Sequence, residues 1–278
     1  MSELDALVRA ALAEDVGPGD WTTAWTVESG TPGRAEIVAK AELVVAGIPP
    51  AVAVFSAVDP NLAVKVLRGD GQAAHPGDVV LEVSGSAAAI LTAERTALNF
   101  LGRLSGVATL TRRFVDAVAG TGARVVDTRK TTPGWRGLEK AAVRAGGGSN
   151  HRMGLWDMVM IKDNHIAAAG GITAAVERVR AHNRQGLPIE LEVRTDAELD
   201  EALALGVHRI LLDNMDVAAL RRSVERANRL GAKRPELEAS GNVTLATIRD
   251  VAATGVDLVS VGALTHSAPV ADLSLRMR

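Results

Sequence analysis

The sequence predicts an α/β protein in two parts, a parallel β/α domain of barrel type preceded by a smaller α+β domain. Three observations carry this. From Arg124 onward, short apolar segments of strand character alternate with stretches of helical periodicity, the pattern of repeated βα units and therefore of a parallel sheet. Asp127, Lys162, Glu192, Asp213, Ser240 and Gly262 each stand at or just past the C-terminal end of a different strand segment, the end where barrels carry their sites. Before residue 107 the chain shows short alternating segments separated by Gly, Pro and Asp turns. Six strand patterns are fewer than the eight of a full barrel, so the count alone leaves an open doubly wound sheet possible. The placement of the polar residues favours the barrel.

Taken in order, Leu4, Leu7, Val8, Ala11 and Leu12 fall at helical spacing and predict an amphipathic opening helix that Gly17-Pro18-Gly19 ends. Residues 15–22 read as loop. Alternation predicts strands over 34–43, 62–67 and 79–83, and residues 48–58 read as a helix whose Pro49 and Pro50 are tolerated in the first turn, where no N–H donor is needed. Residues 87–119 hold two helical patterns with Ser105-Gly106 as a joint, a natural connector between domains. Strands follow at 124–127, 158–161, 189–193, 209–213, 236–239 and 258–261, with helices at 138–145, 173–183, 197–205, 217–230 and 245–253. The expected domains are 1–106 and 107–267, with a weakly alternating tail, 268–278, able to return to the first.

Composition excludes several classes of function. With 278 residues, 47% hydrophobic and 23% charged, the chain suits a sizeable globular core. It has no apolar run long enough for a bilayer span and no basic leader at Met1-Ser2-Glu3, so the expected compartment is the cytoplasm. The absence of cysteine removes disulfides, thiolate nucleophiles and cysteine metal sites, and none of the six histidines sits in an HExxH pattern. A net charge of -2, no Tyr and three Phe give no basic or stacking face for nucleic acid.

Against that slightly acidic background, residues 124–165 carry eight Lys/Arg and four Asp/Glu. The cations lie beside a Gly146-Gly147-Gly148 loop and a Thr131-Thr132-Pro133-Gly134 turn, and both backbone N–H groups and guanidinium forks match carboxylate and phosphate oxygens. Arg129, Lys130, His151, Arg152 and Lys162 come from three strand-end loops that could converge over one mouth and hold a small polyanion. The alternative is a solvated loop with scattered charge. Lys162 also admits a Schiff-base role of aldolase type, which the adjacent Asp163 and the neighbouring cations argue against. Glu192 and Asp213 are carboxylates at neighbouring strand ends, and Ser240-Gly241-Asn242 and Val261-Gly262-Ala263 are small-residue turns after the last two strands.

Three blocks, DTRKTTPG at 127–134, GGGSNHRMGL at 146–155 and IKDNH at 161–165, resemble the quinolinate phosphoribosyltransferase family in order and separation. The resemblance extends through Glu94-Arg95, Glu190-Leu191-Glu192-Val193, Leu212-Asp213-Asn214, Ala239-Ser240-Gly241 and Val261 to His266, nearly the full chain. It implies an incomplete parallel α/β barrel with an N-terminal α+β sandwich-like domain. It also implies phosphoribosyl transfer from phosphoribosyl pyrophosphate to quinolinate with decarboxylation, on the route to NAD. The resemblance places quinolinate among Arg95, Arg129, Lys130, His151, Arg152 and Lys162, with Thr128 as a further contact and Arg95 supplied by the neighbouring subunit of a homodimer or higher oligomer. It assigns Glu192 and Asp213 to the ribose and to Mg2+, counts Lys130 with them as catalytic, and puts substrate phosphate at Ser240, Gly241, Asn242, Val261, Gly262 and Ala263, with His266 nearby. Two positions depart from the family pattern: Asn242 stands where many relatives read glycine, and Arg194 where an acidic residue is common. A relative of the same fold acting on another small anion, or a catalytically silent anion binder, are the competing readings.

Overall fold

The computed structural model describes residues 2–278. Contacts divide the chain into two compact units. The first runs to Arg112 and takes in Thr132–Gly147 and Ser267–Arg278, and the second comprises Arg113–Thr131 and Gly148–His266. Sequence patterning expects the boundary at 106/107 and assigns the helix at 138–145 to the barrel domain. Grouped by contacts, the first unit runs on to Arg112 and takes in that helix, observed at Arg136–Ala145. The reason is packing: Trp135 stacks on Phe100 with ring centroids 4.7 Å apart, and Leu138 lies against the first unit's core.

In the first unit, strands β1 (Pro32–Ala39), β2 (Leu43–Val44), β3 (Ala63–Val66), β4 (Ala73–Ala74) and β5 (Val79–Ser86) precede the long helix Ala87–Ala117. The expected strand over 34–43 is thus two strands, broken after Ala39, and β2 pairs with β4 as a separate two-stranded ladder. β1 lies between β5 and the C-terminal strand Leu273–Met277, antiparallel to both, and β3 closes the other edge. Ile37 and Leu81 face the interior of this sheet with Phe55, Ile90, Phe100 and Leu101 from the helices, all fully buried.

Two local expectations fail for identifiable reasons. Residues 15–22 are expected as loop, yet a short helix begins inside that stretch at Trp21 and runs to Thr26; its N-cap Asp20 accepts hydrogen bonds from Thr23 N and Oγ1 at 3.0 and 2.6 Å, a start signal present in the sequence. The Ser105-Gly106 joint does not exist, because the helix is continuous through it. Ser105 Oγ accepts from Ala46 N and donates to Ala46 O, and a Cβ on Gly106 would lie 1.9 Å from Pro269 O. The small pair is a close-packing surface rather than a break.

In the second unit, β6 (Arg124–Val126), β7 (Val159–Ile161), β8 (Ile189–Val193), β9 (Arg209–Asp213), β10 (Glu236–Ser240) and β11 (Leu258–Ser260) form one parallel sheet in the order β6-β11-β10-β9-β8-β7. β7 to β11 therefore step in one direction and β6 joins the far end, the order of a barrel rather than of a doubly wound sheet, which reverses at a switch point. The barrel is incomplete, since β6 and β7 are both edges; Ser149 covers part of the gap through a parallel bridge to Val126. Helices Ile172–His182, Asp196–Leu205, Val217–Asn228 and Ile248–Ala252 fall at the expected places, with short helices Asp163–Ala169 and Ala263–His266 in addition. The final strand of the chain, β12 (Leu273–Met277), belongs to the first unit.

Candidate active site

The C-terminal ends of β6 to β11 surround a cavity of about 670 Å3 whose lining comes wholly from the second unit. Every candidate named from the sequence lines it except Arg95. Arg95 is exposed on the helix Ala87–Ala117 of the first unit, and among the described residues it makes no hydrogen bond or ion pair.

The loop after β6 and the loop ahead of β7 are tied together by Asp127. Its buried carboxylate accepts from His151 N at 2.9 Å and from the Asn150 side chain, which brings His151 and Arg152 beside Arg129 and Lys130. Asp157 fixes the other end of that loop by accepting from Met153 N and Gly154 N. Burial draws the pKa of Arg152 down, and the Arg129 charge adds to it, as expected where cations are gathered for an anion. Thr265 Oγ1 donates to Lys130 O at 2.7 Å, so the loop after β11 holds the loop after β6.

Beneath this surface His151 points Nε2 at two buried carboxylates, Glu190 Oε2 at 3.0 Å and Glu238 Oε2 at 3.3 Å. Burial pulls the His151 pKa down, but hydrogen bonds to Glu190 and then Glu238, with both charges, outweigh it and raise it to about 9. Glu190 is thus an ion-pair partner of His151. Sequence patterning does not single out Glu238, although an acid two residues before Ser240 and on its side of the pleat, flanked by Leu237 and Ala239, is a readable signal.

Lys162 Nζ donates to Glu192 Oε2 at 2.6 Å. A half-exposed ammonium clasped by a carboxylate is not the desolvated amine that a Schiff base requires. Arg194 pairs with Glu192, Nη2 to Oε1 at 3.3 Å, and also reaches Asp213 Oδ2 through Nε at 3.1 Å. Across β9 and β10, Gly241 is required by shape: at φ 111° it sits where a Cβ would meet Asn214 Oδ1 at 2.1 Å. Asn242 adopts φ 51°, a left-handed geometry that asparagine accepts, so the departure from glycine leaves the turn intact. Gly262 is packed between His266 and the Lys130 stem, each 3.1 Å from its virtual Cβ.

Fold and site define a class first, an incomplete α/β-barrel protein whose mouth gathers cations on β6, β7 and the loop between them, and carboxylates on β8 and β9. Residues 20–105 match the family model for the N-terminal domain of quinolinate phosphoribosyl transferase, and residues 107–276 that for its C-terminal domain. The chain belongs to the quinolinate phosphoribosyltransferase family. A relative from Synechocystis, named a probable nicotinate-nucleotide pyrophosphorylase (carboxylating), is 46% identical over 99% of this chain and 92% of its own. The chloroplastic enzyme of that name from Arabidopsis thaliana is 45% identical over 99% and 83%. The structure of the nicotinate-nucleotide pyrophosphorylase from Francisella tularensis superposes with a TM-score of 0.94 at 37% identity, covering 99% of this chain and 96% of its own. Among the described residues no helix is long and apolar enough to cross a membrane.

Proposed function

We propose that the protein transfers the phosphoribosyl group of phosphoribosyl pyrophosphate to the ring nitrogen of quinolinate and releases CO2, giving nicotinate mononucleotide and pyrophosphate for NAD biosynthesis. One observation carries the reading: a single cavity brings a cationic cluster for a dicarboxylate together with a carboxylate pair at the ends of β8 and β9. Arg129 and Arg152 supply planar forks that match carboxylates, with Lys130 and Lys162 as point charges. Bound there, quinolinate presents its nitrogen to C1 of the ribose. The nitrogen lone pair forms the N–C1 bond while the C1–O bond to pyrophosphate breaks and its electrons leave with the phosphate.

Positive charge spreads over C1 and the ring oxygen as that bond lengthens, and Glu192 and Asp213 stabilise this state more than the ground state. The turns Ser240–Asn242 and Val261–Ala263 hold phosphate oxygens through backbone N–H groups. The ribosylated, now cationic nitrogen accepts the electron pair left at the adjacent carbon when CO2 departs, and a proton then fills that position. Glu192 and Asp213 fit Mg2+ by donor chemistry, being hard oxygen ligands within reach of one guanidinium, and would hold it directly or through water. Mg2+ when bound screens the leaving pyrophosphate. As part of the same reading the protein is a cytoplasmic homodimer, or a higher oligomer, in which Arg95 of each subunit serves its partner's cavity.

The test is release of 14CO2 from quinolinate labelled in the carboxylate next to nitrogen. Release that depends on phosphoribosyl pyrophosphate, and that Arg129→Lys and Arg152→Lys each cut by ten-fold or more (~1.5–3 kcal/mol per charge-assisted bond), is expected. Binding of quinolinate without release would make the protein a silent anion binder.

A further inference from the structure

Arg194 lies across the carboxylate pair assigned above to ribose and metal. Its guanidinium donates to Asp213 Oδ2 at 3.1 Å and Glu192 Oε1 at 3.3 Å, and the same Nη2 reaches Asp163 Oδ2 at 3.0 Å. The other oxygen of Glu192 is taken by Lys162. Three carboxylates therefore face two cations. Without Arg194 the group would carry a net charge of minus two, set on hard oxygen donors and matched to a divalent cation.

The two ends of this contact differ in character. Glu192 and Asp213 are largely enclosed, at 7% and 18% side-chain exposure, whereas Arg194 and Asp163 are half exposed, at 52% and 49%. The backbone of Arg194 is pinned, its N–H donating to Glu198 Oε2 at 2.6 Å beside the Thr195 cap of the next helix. Only the side chain is left to move, and Asp163 offers it a partner at the solvent side. A guanidinium released from the enclosed acids can keep one ion pair and point its remaining N–H groups into the mouth. This is the behaviour of a resident ion that exchanges with an arriving one, rather than of a structural tie between strands.

We propose that Arg194 is the resident cation of the Glu192–Asp213 pair, closing it to divalent metal in the free protein and moving onto Asp163 when a metal-bound phosphoribosyl donor enters. The exchange half of this rests on the function proposed above; the blocking half does not. The exchange means that metal enters with the substrate's phosphates rather than waiting in the site.

The experiment uses Mn2+ alone as the probe, titrated into the full-length protein and followed by electron paramagnetic resonance of the free ion. Wild type should bind weakly. Arg194→Ala should bind about ten-fold more tightly, the scale set by removing two partly exposed ion pairs from the competition. Arg194→Gln keeps the stem and serves if the alanine variant does not fold. Adding Asp213→Asn to either variant should abolish the gain. Equal Mn2+ affinity in wild type and the folded variant overturns the proposal, and so does a gain that survives Asp213→Asn. No turnover is required, so failure of the 14CO2 assay would remove the donor from the account while leaving the blocking contact to stand or fall on these titrations.

Discussion

His151 concentrates the residue-scale physics of the site. Its Nδ1 accepts from the Arg152 N–H at 2.7 Å, while Nε2 faces Glu190 and Glu238. A second proton on the ring displaces the Arg152 bond, and two buried carboxylates outweigh one backbone hydrogen bond. The folded pKa of about 9 lies above the ordinary value of 6.5, so the stabilisation is complete below about pH 6.5 and is lost as pH rises through about 9. His151→Gln keeps a donor near the Nε2 position but cannot take the charge. The stability gap between wild type and this variant, from urea unfolding, should be widest near pH 6.5 and close by about pH 10. A gap constant over that range would mean that the ring does not change charge.

At the scale of elements, the long helix Ala87–Ala117 shows how far local preference can mislead. Glycine in a helix interior is normally about 1 kcal/mol worse than alanine, so Gly106→Ala on propensity alone should stabilise. The added Cβ would meet the backbone carbonyl of Pro269 at 1.9 Å and the Ala271 nitrogen at 3.3 Å, and backbone cannot rotate away as a side chain can. The expected outcome is a net loss of ~1–3 kcal/mol in urea unfolding, with the tail next to Leu273–Met277 displaced from the helix. A gain in stability would show that the tail repacks without cost.

For the whole molecule the decisive residue is Arg95, which belongs to the first unit and lies outside the cavity lining. If each cavity borrows Arg95 from a partner, an Arg95→Ala subunit keeps a sound cavity and lacks the arm, and a Lys162→Ala subunit keeps the arm and lacks the cavity. Both homodimers should be nearly inactive. Co-refolded in equal amounts they should form about half heterodimers, each with one intact site in two, and recover roughly a quarter of wild-type turnover. No recovery after verified subunit exchange would mean that Arg95 serves its own chain or none.

The sequence alone carried the six strand segments, the turn chemistry around Gly241 and Gly262, and most of the residues that line the cavity, though not Glu238, because strand period and strand-end polarity are local properties that survive folding unchanged. It also carried the Asp20 cap. Tertiary structure alone decided which partners those residues take. Asp127 turns out to be the buried clasp of two loops, Glu190 and Glu238 the seats of His151, and Arg194 the cation over Glu192 and Asp213. Except for Arg194 and Glu192, which stand two residues apart on one strand end, these pairings join residues 19 to 87 positions apart in the chain, too far for local periodicity to reveal them. The same holds for Arg136–Ala145, whose periodicity is that of any crossover helix but whose Trp135 and Leu138 find their apolar partners in the first unit.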